Sequence, residues 1–406
     1  MKDPTIIFTV ILAVGTFIVP RKYVIVPLLI AACFVPVDQR IIIEGLDFTA
    51  VRILVLVAVL RILARGEQRV VRWGLFDKLI GAWAITSSVI YVTQWGDMRA
   101  VIYKCGFLFD VIGLYWVFRQ SIRSWSDLQT TVRSLAFCML AMTPFVLFEF
   151  MTRQNPFAML GTVVTEERVG RFRCQGSFPI SILLGLFCAT VCPLLIGVAQ
   201  ISKKGLLYWA AAGASVFMVV ASASSTPAAT FLVVLGVLLL YRWRQYTSTG
   251  WLLFFLTVLV LDVIMTPPIY HLISRVNIVS GSTGWHRYYL IDQAVKHFPE
   301  WAVLGVRSTA HWGRGLSDIT NEYVLQGLRG GMITLGLFTA MIAVGFRSLG
   351  RFLNRPRFQS HDVLAWALFC SFVGHCVAFF GVSYFGQISI LWLLTLSCVS
   401  FIDCQI

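Results

Sequence analysis

Thirteen stretches of mostly apolar residues, separated by short polar turns, leave this chain few ways to fold. They lie near 5–19, 23–37, 47–64, 75–94, 100–118, 133–151, 177–199, 206–222, 227–241, 250–267, 331–346, 363–380 and 386–402. A helix that crosses a bilayer needs about 20 such residues, within a range of about 17–25. With 58% hydrophobic and 13% charged residues and a mean hydropathy of +0.80, the chain exceeds the apolar share of about 45–50% found in soluble domains. The expectation is an all-α, polytopic integral membrane helix bundle, one transmembrane domain over 1–406. The first two runs are short and parted only by Pro20-Arg21-Lys22. They read as a tight hairpin or as a partial helix plus one span, giving 12 or 13 transmembrane helices. The first run has the length of a signal peptide, but no small-residue cleavage site precedes a polar mature region, so it reads as a retained anchor.

The formal charge of +14 and pI of about 9.6 would suit a nucleic-acid binder, yet the basic residues sit in short loops between apolar runs. That is the positive-inside pattern of membrane proteins, so nucleic acid is not an expected partner. Alternate loops carry Arg61, Arg65, Arg69 and Arg72, then Arg119 and Arg123, then Lys203 and Lys204, then Arg242 and Arg244, then Arg347, Arg351, Arg355 and Arg357. This face reads as cytoplasmic. The opposite face then holds tight turns and two longer outer loops, 152–176 and 268–330. Most of the ten cysteines fall inside apolar runs, where thiols act as small hydrophobes. No cysteine lies between Gly205 and Phe369, so the larger loop is not stapled by a disulfide. Neither Cys/His metal spacing nor an acidic cluster at metal spacing is apparent, and no metal or other cofactor is expected.

Arginine is unexpected on an outer face. Arg171, Arg173, Arg287, Arg307 and Arg314 therefore need a reason. Pairing with Glu166, Glu167, Asp292 or Asp318 is one. An anionic ligand is the other, because guanidinium keeps its charge and grips phosphate bidentately. If Trp285 to Phe298 is helical, Arg287 shares a face with Ile291, Ala294 and Phe298, while Asp292 and Lys296 form a solvated i, i+4 pair. Arg287 is thus the foremost candidate cation, against the alternative of an arginine snorkelling from a helix end. His286 and His311 are candidate general bases. The loop aromatics, Trp285, Tyr288, Tyr289, Trp301 and Trp312 among them, suit an interfacial belt or stacking on a sugar ring. His375 lies inside a span and reads as a buried hydrogen-bonding group. Asp110, Glu149 and Asp262 read as interhelical polar contacts or helix-end charges.

The second long loop resembles the O-antigen ligase/polymerase superfamily of bacterial envelope enzymes. The similarity is carried by Gly284-Trp285-His286-Arg287-Tyr288-Tyr289-Leu290-Ile291, then Phe298-Pro299-Glu300-Trp301 and Leu304-Gly305, then Asn321-Glu322-Tyr323 and Leu328-Arg329-Gly330-Gly331. The first loop is similar too, with Arg171-Phe172-Arg173 followed by Gly176-Ser177-Phe178-Pro179, as is Asp47 to Leu54. Two positions depart from the family pattern. Thr320 stands where ligases carry a histidine, and Ser224-Ser225-Thr226-Pro227 stands where many relatives carry an arginine. The first departure favours a polymerase over a ligase.

The resemblance implies a metal-independent glycosyltransferase in the bacterial inner (cytoplasmic) membrane. It would act on polyprenyl-diphosphate-linked glycan at the outer face, with membrane lipid and other polysaccharide assembly proteins as further partners. Arg287 and Arg173 would stabilise the leaving diphosphate, with Arg171, Arg307 and Arg314 in support. The base would be His286, His311 or Glu322, and Asn321 and Tyr323 would orient the acceptor or cap the following helix. Two rival classes remain, a transporter of lipid-linked glycan and a non-catalytic scaffold of an envelope assembly complex. Transporters favour inverted repeats and midplane charges, neither of which is evident.

Overall fold

The computed structural model describes residues 1–71, 73–161, 166–168, 170–275, 278, 284–355 and 360–405. The basic-loop residues Arg72 and Arg357, and parts of both long loops (162–165, 169, 276–277 and 279–283), lie outside the described residues. The chain is 76% helical. Its helices are α1 Asp3–Ile18, α2 Ile25–Phe34, α3 Ala50–Ala64, α4 Leu75–Trp95, α5 Met98–Leu108, α6 Leu114–Ser121, α7 Trp125–Thr152, α8 Ser181–Ile201, α9 Gly205–Ala221, α10 Ser225–Leu239, α11 Thr247–Ile264, α12 Gly284–Lys296, α13 Phe298–Trp301, α14 Glu322–Leu353, α15 Ser360–Ala378 and α16 Gln387–Asp403. Every one of the thirteen apolar runs falls on a helix. A π-helical turn, Phe109–Gly113, joins α5 to α6, and a 3₁₀ segment, Leu240–Tyr246, joins α10 to α11.

Among the described residues, seven helical segments are long and apolar enough to cross a membrane: Leu75–Trp95, Met98–Ser121, Trp125–Thr152, Ser181–Ile201, Ser225–Ile264, Glu322–Leu353 and His361–Ala378. α1, α9 and α16 are shorter and apolar. Two hairpins not expected from the sequence accompany the helices. Arg40–Ile43 (β1) pairs antiparallel with Leu46–Thr49 (β2), and Glu166–Arg168 (β3) pairs with Arg171–Arg173 (β4).

α8 is the central post, buried on nearly all sides by α9, α10, α15, α7 and α16. Peripheral helices invert the usual order of faces. α1 buries Thr5, Thr9, Leu12 and Thr16 while exposing Ile7, Val10, Ile11, Val14 and Ile18. α11 buries no residue and exposes Leu252, Leu253, Phe254, Phe255, Leu259 and Val263. A water-soluble helix turns its apolar stripe inward.

Several charges inside the bundle are paired, while buried Lys104 lies over the rings of Tyr91 and Phe107. Arg52 makes a two-point contact with Asp110, Nε to Oδ1 at 2.8 Å and Nη2 to Oδ2 at 2.7 Å. Fully buried Arg61 reaches Glu67 at 3.0 Å and Thr16 O at 3.1 Å. Buried Asp77 accepts from Ser400 Oγ at 2.6 Å, Arg119 Nε at 3.3 Å and Tyr115 Oη, fastening α4, α6 and α16. Paired burial is the arrangement a low-dielectric interior tolerates. Imidazole His375 is wholly buried between Tyr384 Oη (2.8 Å) and Thr395 Oγ1 (3.2 Å).

Glycines 305 and 331 let the 302–306 backbone touch that of α14. The peptide N–H of Val306 donates to Leu328 O and that of Met332 to Ala302 O, both at 2.8 Å. A Cβ on Gly305 would lie 2.1 Å from Leu328 O, and one on Gly331 2.1 Å from Val303 O. Both residues also have positive φ, +80° and +66°, which L side chains resist. α14 is consequently broken at Gly330 and Gly331 after two turns. The paired glycines of the motif thus mark a crossing of chains.

Candidate functional site

The site is assembled where α12, the β3–β4 hairpin and two interhelical turns meet. α12 covers Gly284–Lys296 rather than running to Phe298. Pro299 sits in the first turn of α13, where its missing N–H costs nothing, whereas within a continued α12 it would leave Val295 O without its i+4 donor, and the chain breaks at His297. Phe298 therefore leaves the α12 face. The buried stripe is Gly284, Arg287, Leu290 and Ala294, with Ile291 half-buried beside it. On the other side, Lys296 pairs with Asp292 at 2.7 Å.

Arg287 is only 6% exposed and donates from Nε to Gly381 O at 3.0 Å. Among the described residues no carboxylate pairs with it. Burial pushes its guanidinium down to about 10, and the like charges of Arg168 and Arg173 push in the same direction. Arg173, also buried, donates from Nε to Ser222 O at 3.4 Å. The next residue, Cys174, ties its peptide N–H to Ala221 O at 3.1 Å. The β3–β4 hairpin is thereby pinned to the α9–α10 turn, where Ala223 takes a positive φ of 43°. Below the hairpin, Glu149 on α7 accepts from the peptide N–H groups of Gln175 (3.0 Å) and Gly176 (2.9 Å) and from Asn155 Nδ2 (3.1 Å). It caps the first loop instead of pairing with an arginine. Beside Gly381, the buried Thr226 hydroxyl has no hydrogen-bond partner among the described residues. A Cβ on Gly381 would come within 2.6 Å of Thr226 Cγ2, so the turn sits directly on that side chain.

Buried Arg287 therefore feels the charges of exposed Arg168 and buried Arg173, which stand more than a hundred positions earlier in the chain, and of the three only Arg173 and Arg287 stand out in the sequence. The other candidates lie elsewhere or are already engaged. Arg171 is exposed at the hairpin turn, and Arg314 is exposed in the second loop. Exposed Arg307 donates from Nε to Gln94 O at 2.8 Å and lies over the Trp95 ring, so it fastens the second loop to the end of α4. Asn321 caps α14 through Val324 N–H at 3.0 Å and donates to Phe380 O at 3.3 Å. Glu322 receives Gln326 Nε2 and the Tyr384 N–H, each at 2.6 Å. Tyr323 donates to Cys376 O at 3.1 Å. Asn321 and Glu322 tie the start of α14 to the α15–α16 turn, the same turn whose Gly381 carbonyl holds Arg287, and Tyr323 ties it to the last turn of α15.

His286 is half-buried next to Arg287. His311 is not near-neighbour to it in sequence and has its Nε2 at 2.8 Å from Glu300 Oε2. The loop aromatics mostly stack on one another: Trp285 on Tyr289 at 5.1 Å and Tyr270 on Tyr288 at 5.8 Å. Compared with known proteins, the chain matches no family model and no curated protein.

Proposed function

We propose that the chain is an integral membrane glycosyltransferase of the O-antigen ligase/polymerase type, acting as a polymerase on polyprenyl-diphosphate-linked glycan. The membrane reading rests on helices that face their apolar side outward, as on α1 and α11, which only a lipid surround would reward. On this reading the 12 or 13 apolar runs are spans and the Arg-bearing short loops are cytoplasmic. The loops 152–176 and 268–330 then lie on the outer face of a bacterial inner membrane, with α12 as a short outer helix.

The observation that carries the chemical reading is buried Arg287, held beside Arg168 and Arg173 with no carboxylate partner among the described residues. A buried charge is costly unless paired. Buried Arg287, with the charges of Arg168 and Arg173 acting on it, favours a polyanion such as a diphosphate as its partner. In the reaction, an acceptor sugar hydroxyl oxygen bonds to the anomeric carbon as the bond from that carbon to the diphosphate oxygen breaks. The electron pair leaves with the diphosphate, and the acceptor proton passes to a base. Fixed guanidinium groups stabilise the charge growing on the leaving group. His286 is the base candidate favoured by position, since the His311 Nε2 and both Glu322 oxygens are already engaged.

The test is complementation with Arg287→Ala in a strain lacking the protein, scoring polysaccharide chain length on gels together with protein level. Loss of long chains at normal abundance, with lipid-linked single units accumulating, is the expected result. Long chains that form but never reach their acceptor would indicate a ligase. Unchanged polysaccharide at normal abundance would refute the role of Arg287.

A further inference from the structure

Outside the arginine cluster, three donor side chains of the second loop converge on one point. His297 Nδ1 lies 2.6 Å from Glu300 Oε1, and His311 Nε2 lies 2.8 Å from Glu300 Oε2. One ligand atom from each of the three lies within 4.8 Å of those of the other two. We propose that His297, Glu300 and His311 form a Zn²⁺ site that clasps the loop between α12 and α14.

The local sequence explains how the donors meet. His297 and Glu300 are three residues apart across the start of α13, so they share a face. The turn is closed by the Glu300 N–H bonding to His297 O at 3.0 Å. His311 stands on a 3₁₀ turn, Ala310–Trp312, anchored by the buried Trp312 and Leu316. Trp312 also serves the site itself. Its Nε1 donates to Glu300 Oε2 at 3.0 Å, and its ring stacks on His297 at 5.1 Å and 9°. A carboxylate oriented by an outer donor, beside an imidazole held flat against a ring, has the support that metal ligands usually receive.

The donor set selects the metal class. Two imidazoles and one carboxylate suit Zn²⁺ and its first-row neighbours, whereas Mg²⁺ and Ca²⁺ prefer oxygen throughout. In a tetrahedral site with bonds of about 2.0–2.2 Å, donor atoms stand roughly 3.4 Å apart. The His–Glu contacts need to widen by about 0.6–0.8 Å to reach that spacing. Side-chain exposures of 30% for His297, 39% for Glu300 and 54% for His311 give the ion a path from solvent and leave room for water as the fourth ligand. Such an ion would join the α12–α13 corner to the 310–312 turn, a restraint on the second loop that the glycosyl-transfer reading does not require.

The experiment uses the purified full chain in detergent, loaded with Zn²⁺, desalted and assayed for bound metal. Co²⁺ substitution, read by visible absorption, reports four-coordinate geometry. The expected result is about one Zn²⁺ per chain and a four-coordinate Co²⁺ spectrum. Outer-sphere changes already weaken metal sites about 10–100-fold, so His311→Ala and Glu300→Gln should each weaken binding at least about 100-fold, and Trp312→Phe about 10-fold. A His361→Ala variant should bind as the parent does. Size-exclusion profiles matching the parent establish that each variant is folded. No Zn²⁺ retained by the parent, or the same Zn²⁺ content in folded His297→Ala/His311→Ala protein, would overturn the proposal.

Discussion

Replacing Arg287 by glutamine should make the ligand-free protein more stable while abolishing its activity. Lowering the Arg287 pKa from 12.5 to about 10 corresponds to about 3 kcal/mol against the charged form, at 1.36 kcal/mol per pH unit. The sign follows from the direction of the shift. A cation whose pKa falls on folding opposes folding at every pH below about 10, and that cost fades as pH rises from about 10 towards 12.5. At neutral pH the whole cost is present. Arg287→Gln removes it and forfeits up to about 1.5 kcal/mol from the hydrogen bond to Gly381 O, part of which the shorter amide can restore. The net gain is about 1.5–3 kcal/mol, an upward shift of the thermal midpoint by a few degrees. Inorganic pyrophosphate supplies the second arm. At ten times its Kd it should stabilise the parent by about 1.4 kcal/mol and the variant by much less. Both are read by thermal unfolding in detergent at pH 7.5. A variant that melts lower than the parent, yet responds equally to pyrophosphate, would show that Arg287 is a structural residue and refute the reasoning.

Two other outcomes are expected. Gly331→Ala should prevent accumulation of folded protein, because its Cβ would meet Val303 O at 2.1 Å in a backbone conformation with φ of +66°, whereas Gly336→Ala, with open space around it, should express normally; membrane-fraction yield separates the two. Cys174 is buried and its thiol is pushed up to about 12, by burial and then by Glu149, so it should resist maleimide at pH 8 while exposed Cys404 reacts, as mapped by mass spectrometry of the folded protein.

Much of the helical framework is legible in the sequence because it depends on local composition. Each apolar run is long enough to specify a helix without knowing its neighbours, and the α12 stripe is legible from its spacing, apart from its end at Pro299. Arg287 stands out for the same local reason: it is a cation on an apolar face. The candidate site is less legible. Nothing in the sequence links Arg168 to Arg287; the register of β3 with β4 and the bond from Arg173 to Ser222 O position the hairpin that carries Arg168. Asn321 and Tyr323 read as acceptor contacts or helix caps; Asn321 does cap α14, while the further partners of Asn321, Glu322 and Tyr323 on α15 and the α15–α16 turn, more than fifty residues away, are not legible in the sequence.

By itself, then, the sequence determined which segments become helices and which charges sit in loops, since hydropathy and helical spacing act over one or two turns of chain. Tertiary structure alone decided which charges share a site. The influence of Arg168 and Arg173 on Arg287, the meeting of His297 and Glu300 with His311, and the closeness of Gly331 to Val303 O all depend on contacts between segments distant in sequence. Those contacts are long-range packing results that no single segment encodes.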